Sequence, residues 1–481
     1  MKKLAPASMA LILTFLMVSC PQDEPGDVSG NFWAQNLSTG KYYQVDAIRL
    51  AEGRKCLIWA EKSAGVSAET AEQIAREYDD NIYQKMLDTF GITGNFTFEG
   101  KVVAHDTLEL ADWLGNGDGK LAILLLDIKD DYTPGKGYVA GYFWAGNFFQ
   151  DPLPQGYRSN KMDMMYVDIN PGVPGSPQSN ATFAHELQHL MNYTNSQLSA
   201  TRKGSSMDTW IDEGLATAAE YVYLKGHDTS RINWFNKDQA GTIAQGNNFF
   251  VWGNHTEENS NAILDDYATA YLFFQWLRIQ SPKGIGIYKD IISSTYVDYR
   301  AVTTAAGGQS WSTLLGNWLK ANYRNDSSGV EGYKGELTAR VWAIGGGLKT
   351  LYPGEGVYSK DSSTPLNTGN VRFAQITRST AVTGLPPAYL TGYTGDRVLM
   401  YNVNLVKNDT NPDLSTKETG TLPGTAETKP PLSSLSVRGA FNMAEAPFAI
   451  DARDMLRRHG HEGWESANVR DLPGVQIDVA K

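Results

Sequence analysis

Short runs of apolar residues divide the first third of the chain into predicted strands, at residues 42–50, 56–59, 121–126, 138–144 and 164–168. Residues 42–50 alternate apolar and polar side chains, which is typical of a strand with one buried face. Residues 121–126 are apolar without interruption, which indicates a central strand that is buried on both faces. The sequence therefore predicts a sheet with residues 121–126 in its interior.

Helical spacing of apolar residues marks further segments, the first of which runs from Ser67, a favourable N-cap, to Phe90 before Gly91. Within it, large apolar residues recur at every fourth position: Ile74, Tyr78, Ile82 and Met86. Residues 267–280 and 311–323 are also apolar with helical spacing. Helices are therefore expected both between the strands and after them.

The composition changes after residue 330 to glycine, threonine, serine and tyrosine, with short alternating runs such as residues 370–376. This change favours a β-rich C-terminal domain over residues 331–481. Residues 407–436 are rich in threonine, proline, glycine and serine, and we expect them to form a flexible loop. A chain of 481 residues is too long for one compact core, so two or three domains are expected.

The N-terminus has the pattern of a targeting segment. Two lysines precede an apolar stretch over residues 5–18, which is too short to cross a bilayer as a helix. A small residue before Cys20 resembles a bacterial lipoprotein cleavage site, although Met17 stands where leucine is usual. We expect a signal peptide over residues 1–19, an acylated Cys20 that anchors the chain to the lipid bilayer of the cell envelope, and a tether over residues 20–30. The alternative is ordinary cleavage and a secreted protein.

Composition and charge exclude several classes of protein. The formal net charge of −11 argues against nucleic acid as the main partner. The chain has 2 cysteines, so an acylated Cys20 would leave Cys56 without a partner and the fold without a disulfide framework. The sequence also contains no P-loop, no dinucleotide-binding fingerprint and no Gly-x-Ser-x-Gly elbow of serine hydrolases.

Residues 185–189 read His-Glu-Leu-Gln-His and carry the strongest functional signal in the sequence. His185 and His189 are four positions apart, so on a helix they share one face and can hold one zinc ion together. Glu186 lies beside them, where it could take a proton from a metal-bound water. The alternative is a buried helix that happens to carry two of the 7 histidines of the chain.

The flanks of this pentad favour a helix, because residues 182–192 contain neither glycine nor proline. Ser179 and Asn180, which follow Pro177, are the expected N-caps.

A third zinc ligand is expected because a catalytic zinc site uses three protein ligands and keeps the fourth position for water. Glu213 follows His189 at a distance that allows a turn and the start of a second helix. Without His185 and His189, an exposed carboxylate at a helix start, stabilised by the helix dipole, would be the favoured interpretation of Glu213.

The pentad followed by Trp-x-x-Glu-Gly-x-Ala over residues 210–216 resembles the gluzincin metallopeptidases, in particular the hyicolysin-like neutral zinc metallopeptidases, and more distantly the aminopeptidase N group. The resemblance implies that Glu213 is the third ligand of one catalytic Zn²⁺ and that the chain is an endopeptidase acting on proteins or peptides, with Glu186 as the general base. The pattern of residues before position 60 predicts a β-rich segment over residues 31–60. The resemblance also implies an α+β fold with a catalytic unit over residues 61–330 after that segment. That unit would consist of a mixed sheet beside the active-site helix and an α-helical lower lobe.

The chain departs from the pattern of these families in the spacer between the two motifs, which is a few residues longer than in thermolysin or aminopeptidase N. Its polar composition over residues 195–206 favours a surface loop inserted between two helices over a displaced ligand.

Further residues are candidates for supporting roles. Glu220 lies two helical turns after Glu213 and could hydrogen-bond a zinc histidine, although an ordinary solvent-facing glutamate fits as well. Tyr267 lies in a segment that resembles the source of the oxyanion-stabilising tyrosine in the aminopeptidase N group, with Tyr271 as a weaker candidate. The alternative for both tyrosines is an aromatic helix core. Asp212 adjoins Glu213 but is expected to point elsewhere on the helix.

By the same resemblance, the strand over residues 138–144 is a candidate to hold an extended substrate through main-chain hydrogen bonds. A different class of function is also open. The aromatic and Thr/Ser-rich C-terminal third fits a surface-exposed, adhesin-like binding lipoprotein, in which the zinc site is secondary or inactive.

Overall fold

A computed structural model describes most of the first 339 residues. The described ranges are 28–98, 101–134, 137–153, 156–199, 201–202, 204–237, 249, 263–309, 313–314, 317–318, 321–322 and 325–339, together with the backbone of four strands between 349 and 402. The predicted signal peptide, Cys20, most of the tether and the predicted loop 407–436 lie outside these ranges. Within them, no helix is both long enough and apolar enough to cross a membrane.

The strands that precede residue 170 are β1 (Ser29–Gln35), β2 (Tyr42–Glu52), β3 (Cys56–Glu61), β4 (Thr93–Phe98), β5 (Lys101–Asp106), β6 (Leu121–Leu126), β7 (Gly141–Phe143) and β8 (Met164–Asp168). Six of them form one sheet in the order β1-β2-β3-β6-β8-β7, and β4 and β5 form a separate hairpin. The sheet is mixed, because β6 pairs in parallel with β3 and β8 and the other pairs are antiparallel. Every residue of β6 is buried, as its continuous apolar run predicts.

The N-terminal β-rich segment contributes directly to this sheet. Strands β1 to β3 cover residues 29–61, and β3 hydrogen-bonds β6 along five paired positions from Cys56 to Ala60. Cys56 is buried in β3, as its apolar surroundings predict. The segment predicted to precede the catalytic unit therefore shares a sheet with the strands beside the candidate site.

The described α-helices are α1 (Ala68–Glu77), α2 (Tyr83–Phe90), α3 (Thr107–Leu114), α4 (Pro177–Leu198), α5 (Thr209–Leu224), α6 (Thr229–Lys237), α7 (Ile263–Gln280), α8 (Gly286–Ile292) and α9 (Tyr299–Ala305). The predicted helix from Ser67 to Phe90 is present, with Ser67 as its N-cap, but a π-helical turn at Tyr78–Ile82 joins α1 to α2. On an α-helix, each apolar residue four positions after the last lies about 40° further around the helix axis, so a series of them drifts away from the buried face. The π-helical turn is wider and compensates for this drift, which keeps Ile74, Tyr78, Ile82 and Met86 buried.

Helix α4, which carries the pentad, begins earlier than its sequence predicts. Ser176 is the N-cap and accepts a hydrogen bond from the backbone N–H of Ser179, and Pro177 occupies the first turn. The expectation that Ser179 and Asn180 cap this helix is therefore wrong. Proline is favourable at this position because the first helical N–H has no partner within the helix.

Part of the spacer between the two motifs is helical and buried, whereas its composition predicts a surface loop. Helix α4 continues to Leu198, so residues 195–198 are helical and buried. Arg202 is also buried, and its guanidinium donates to the backbone carbonyls of Ile292 and Ser294. The polar composition was misleading because these side chains have partners inside the fold.

Helix α7 covers the predicted segment 267–280 and is buried over nearly its whole length. Residues 311–323 lie only partly within the described ranges. In the C-terminal part, β9 (Lys349–Gly354), β10 (Gly369–Gln375), β11 (Tyr389–Thr394) and β12 (Arg397–Asn402) form an antiparallel sheet in the order β11-β12-β10-β9. The chain thus combines strands and helices in an α+β fold, while the extents of the domains stay predictions.

Candidate metal centre

Helices α4 and α5 pack against each other and bring three metal-binding side chains together. Nε2 of His185 and Nε2 of His189 each lie 3.5 Å from the same oxygen, Oε2 of Glu213. One ligand atom from each of the three residues lies within 4.8 Å of the others. All three side chains are buried, and Glu213 is 0% exposed. The residues that the sequence proposed as ligands therefore converge on one point.

The spacing of these donors fits a zinc ion. Tetrahedral zinc with ligands at about 2.0–2.1 Å places the ligand atoms about 3.3–3.4 Å from one another. The two separations of 3.5 Å match that value closely. Two imidazole nitrogens and one carboxylate oxygen are also a donor set that zinc takes in catalytic sites.

Gly214, next to Glu213, lets α7 approach α5. A Cβ atom at this position would lie 2.2 Å from Cε2 and 2.4 Å from Cδ2 of Phe274, which is buried on α7. Any larger residue would push the two helices apart at the position of the third ligand. The glycine of the Glu-Gly pair therefore has a packing role.

The second ring nitrogen of His185 is held by Glu220. Nδ1 of His185 lies 2.7 Å from Oε1 of Glu220, and Arg231 donates two hydrogen bonds to the same carboxylate. Burial alone would raise the pKa of Glu220, but the charge of Arg231 and the hydrogen bond to His185 hold it below its usual range. The structure thus places Glu220 in contact with His185 and not in solvent.

The second ring nitrogen of His189 also faces a carboxylate. Nδ1 of His189 lies 3.1 Å from Oδ1 of Asp212, and the side chain of Asn192 donates to the same oxygen at 2.6 Å. The expectation that Asp212 points elsewhere is therefore wrong. The cause is the packing of α4 on α5, which brings the first turn of α5 beside His189 and the residue one turn after it.

These carboxylates change the protonation of both histidines. Burial by itself would lower the pKa of His185, but hydrogen bonds to Glu213 and Glu220 outweigh it and raise the pKa to about 9. The pKa of His189 is raised well above its ordinary value, because Asp212 and Glu213 likewise outweigh the effect of burial. Both histidines therefore bind a proton more tightly than a free imidazole does.

Glu186 is buried under the edge strand β7. A Cβ atom at Gly141 would lie 3.2 Å from Cγ of Glu186 and 2.8 Å from Cγ2 of Thr182. Strand β7 forms one edge of the described sheet and pairs with β8 on its inner side. The glycine therefore allows the sheet edge to run directly against the helix at the predicted general base.

The two tyrosines of α7 differ in their surroundings. Tyr271 contacts the segment that connects α5 to α6. Its hydroxyl accepts a hydrogen bond from the backbone N–H of Asp228 and lies 3.0 Å from Nδ1 of His227. Tyr267 is fully buried, and the guanidinium carbon of Arg231 lies 5.6 Å from the centre of its ring. Tyr267 is thus the tyrosine that lies beside the Arg231–Glu220 pair.

Comparison with known proteins agrees with this geometry. Over 317 residues the chain is 28% identical to neutral metalloprotease ShpI of Staphylococcus hyicus, covering 63% of this chain. The matched region is 65% of that relative, so the chain spans just under two thirds of the relative's length. No family model matches the sequence. The similarity supports a metallopeptidase family, and the His185, His189 and Glu213 cluster could bind a metal of the kind such an enzyme needs.

Proposed function

We propose that the chain is a zinc-dependent endopeptidase in which His185, His189 and Glu213 hold one catalytic Zn²⁺. The observation that carries the proposal is the 3.5 Å spacing between each imidazole nitrogen and the shared carboxylate oxygen. The carboxylate behind each histidine adds support, because metal-ligating histidines usually donate their second N–H to such a group. The similarity to a neutral metalloprotease points to the same chemistry.

The chemistry divides between the metal and the chain. Zinc in such a site acts as a Lewis acid and makes water a nucleophile near neutral pH. Glu186 is the proposed general base, which accepts the proton of the attacking water and then gives it to the leaving amine. Its position supports this role, because its side chain is buried next to Gly141 at the sheet edge and its charge helps to raise the pKa of His185.

Substrate would be held along β7. An extended peptide can add to an exposed sheet edge through main-chain hydrogen bonds, whatever its side chains. The close contact between Gly141 and Glu186 would place such a peptide next to the general base. Protein and peptide substrates fit this mode, and we propose Tyr267 as a donor to the carbonyl oxygen on which negative charge develops.

The experiment that tests the proposal is casein hydrolysis by the purified protein, with and without a zinc chelator. We expect cleavage that the chelator abolishes and that added Zn²⁺ restores. Cleavage that the chelator leaves unchanged would contradict the proposal. Binding of host or matrix proteins without any cleavage would favour the adhesin-like alternative.

We also propose that the protein is a lipoprotein of the bacterial cell envelope, anchored through Cys20. The sequence around Cys20 supports this proposal. Expression of the full chain and of Cys20→Ala with a radiolabelled fatty acid tests it. Label in the wild type alone is expected, and absence of label from both would favour a secreted protein.

A further inference from the structure

Arg231 lies behind the metal centre on α6 and is 2% exposed. Its Nε donates to Oε2 of Glu220 at 3.0 Å, and its Nη2 donates to Oε1 at 2.5 Å. The same Oε1 lies 2.7 Å from Nδ1 of His185. A chain of contacts therefore runs from α6 through α5 to a zinc-binding histidine on α4.

This arrangement determines the direction of the Glu220 carboxylate. A guanidinium that binds both oxygens of a carboxylate fixes its plane as well as its position. A carboxylate fixed in this way accepts the Nδ1–H of the imidazole, which leaves the lone pair of Nε2 for a metal. Because both groups are buried, water is a poor substitute for either partner.

The second histidine has a different support. Asp212, behind His189, accepts a hydrogen bond from the neutral amide of Asn192, whereas Arg231 pairs with Glu220 behind His185. Asp228 and the ring of Tyr267 flank the Arg231 guanidinium, at 3.5 Å from Nε and 5.6 Å from the guanidinium carbon respectively. These contacts hold Arg231 in place from two further directions.

We propose that Arg231 is a positioning residue of the metal centre, which acts through Glu220 to fix the ring and the tautomer of His185. The inference rests on the proposed zinc site and extends it to a third helix. Arg231 itself contacts neither the metal nor the reacting atoms.

The test measures the affinity for Zn²⁺ by competition with a chromophoric chelator, using the full purified protein. Arg231→Met removes the charge and both hydrogen bonds, and we expect about 10- to 100-fold weaker zinc binding. Arg231→Lys keeps the charge without the two-pronged geometry, so an intermediate loss is expected. In a Glu220→Gln background, Arg231→Met should cause no further loss, because the residue through which it acts is already changed.

Arg158→Met is the matched control. Arg158 binds both oxygens of Asp151 at 2.8 Å and 2.5 Å, a pairing of the same form outside the metal centre. This variant should bind zinc as tightly as the wild type even if its melting temperature falls. A loss of zinc affinity in Arg158→Met as large as that in Arg231→Met would show that the effect is general destabilisation, and would overturn the proposal.

The outcomes separate this inference from the proposed function. Tight zinc binding by both the wild type and Arg231→Met would overturn the role of Arg231 and leave the peptidase proposal standing. Additive losses in the double variant would overturn the route through Glu220. A wild type without zinc affinity would refute both proposals. If Arg231→Met does not fold, Arg231→Lys decides the matter, since wild-type affinity in that variant also overturns the inference.

Discussion

Zinc binding should release protons, because neighbouring carboxylates raise the pKa of both histidines at the site. The pKa of His185 is raised to about 9, and that of His189 is raised well above its ordinary value. Zinc can bind only after both protons have left. At a pH below the pKa of a histidine, zinc must displace the proton of that histidine. Each proton displaced in this way makes the zinc affinity rise tenfold for every unit of increase in pH. The raised pKa of His185 alone makes zinc affinity rise about tenfold per unit between pH 6 and pH 8, and His189 adds to this, so we expect a rise of more than tenfold per unit.

Calorimetry in buffers of different ionisation enthalpy measures the protons released, after correction for zinc binding by the buffer. More than one proton per zinc is expected at pH 7, whereas histidines near their ordinary pKa of about 6.5 would release less than one between them. Asp212→Asn removes the largest contribution that raises the pKa of His189, so this variant should release fewer protons. Zinc affinity that is constant between pH 7 and pH 8 would refute the assignment of raised pKa values.

Three substitutions test other parts of the structure. Glu186→Gln should keep zinc and lose most casein hydrolysis, and near-normal turnover would contradict its role as the base. Gly214→Ala should lower the free energy of unfolding by about 1–3 kcal/mol through its clash with Phe274. Gly226→Ala is its control in urea denaturation, since a Cβ there meets only an atom at 4.0 Å. Gly141→Ala should reduce turnover by pushing β7 away from Glu186, and wild-type kinetics would argue against that contact.

The convergence of His185, His189 and Glu213 could be predicted in part, because helix geometry alone determines where the two histidines point. Residues four apart share a helix face, so His185 and His189 had to point the same way once α4 formed. Glu213 could be predicted because the residues around it match the Trp-x-x-Glu-Gly-x-Ala motif. The structure explains the glycine of that motif, since a Cβ atom at Gly214 would clash with Phe274. The buried strand β6 followed equally directly from its continuous apolar run.

Other features depended on contacts that the sequence does not display. Arg231 comes from a third helix and belongs to no motif, so only the fold shows its pairing with Glu220. The contact between Asp212 and His189 could not be predicted, because the position of Asp212 on its own helix does not show which residues of the neighbouring helix it faces. The one sequence feature that points to this contact is Asn192, a polar residue one turn after His189, which donates a hydrogen bond to Asp212.

The most direct test of the zinc centre is the metal content of the purified wild type and of Glu213→Ala, measured by mass spectrometry after dialysis. We expect one zinc per wild-type chain, and little or none in the variant, because two imidazoles alone leave the ion without its carboxylate ligand. Folding of the variant is checked by circular dichroism. Equal zinc in both proteins, or none in the wild type, would contradict the assignment of Glu213 as the third ligand and with it the proposed peptidase.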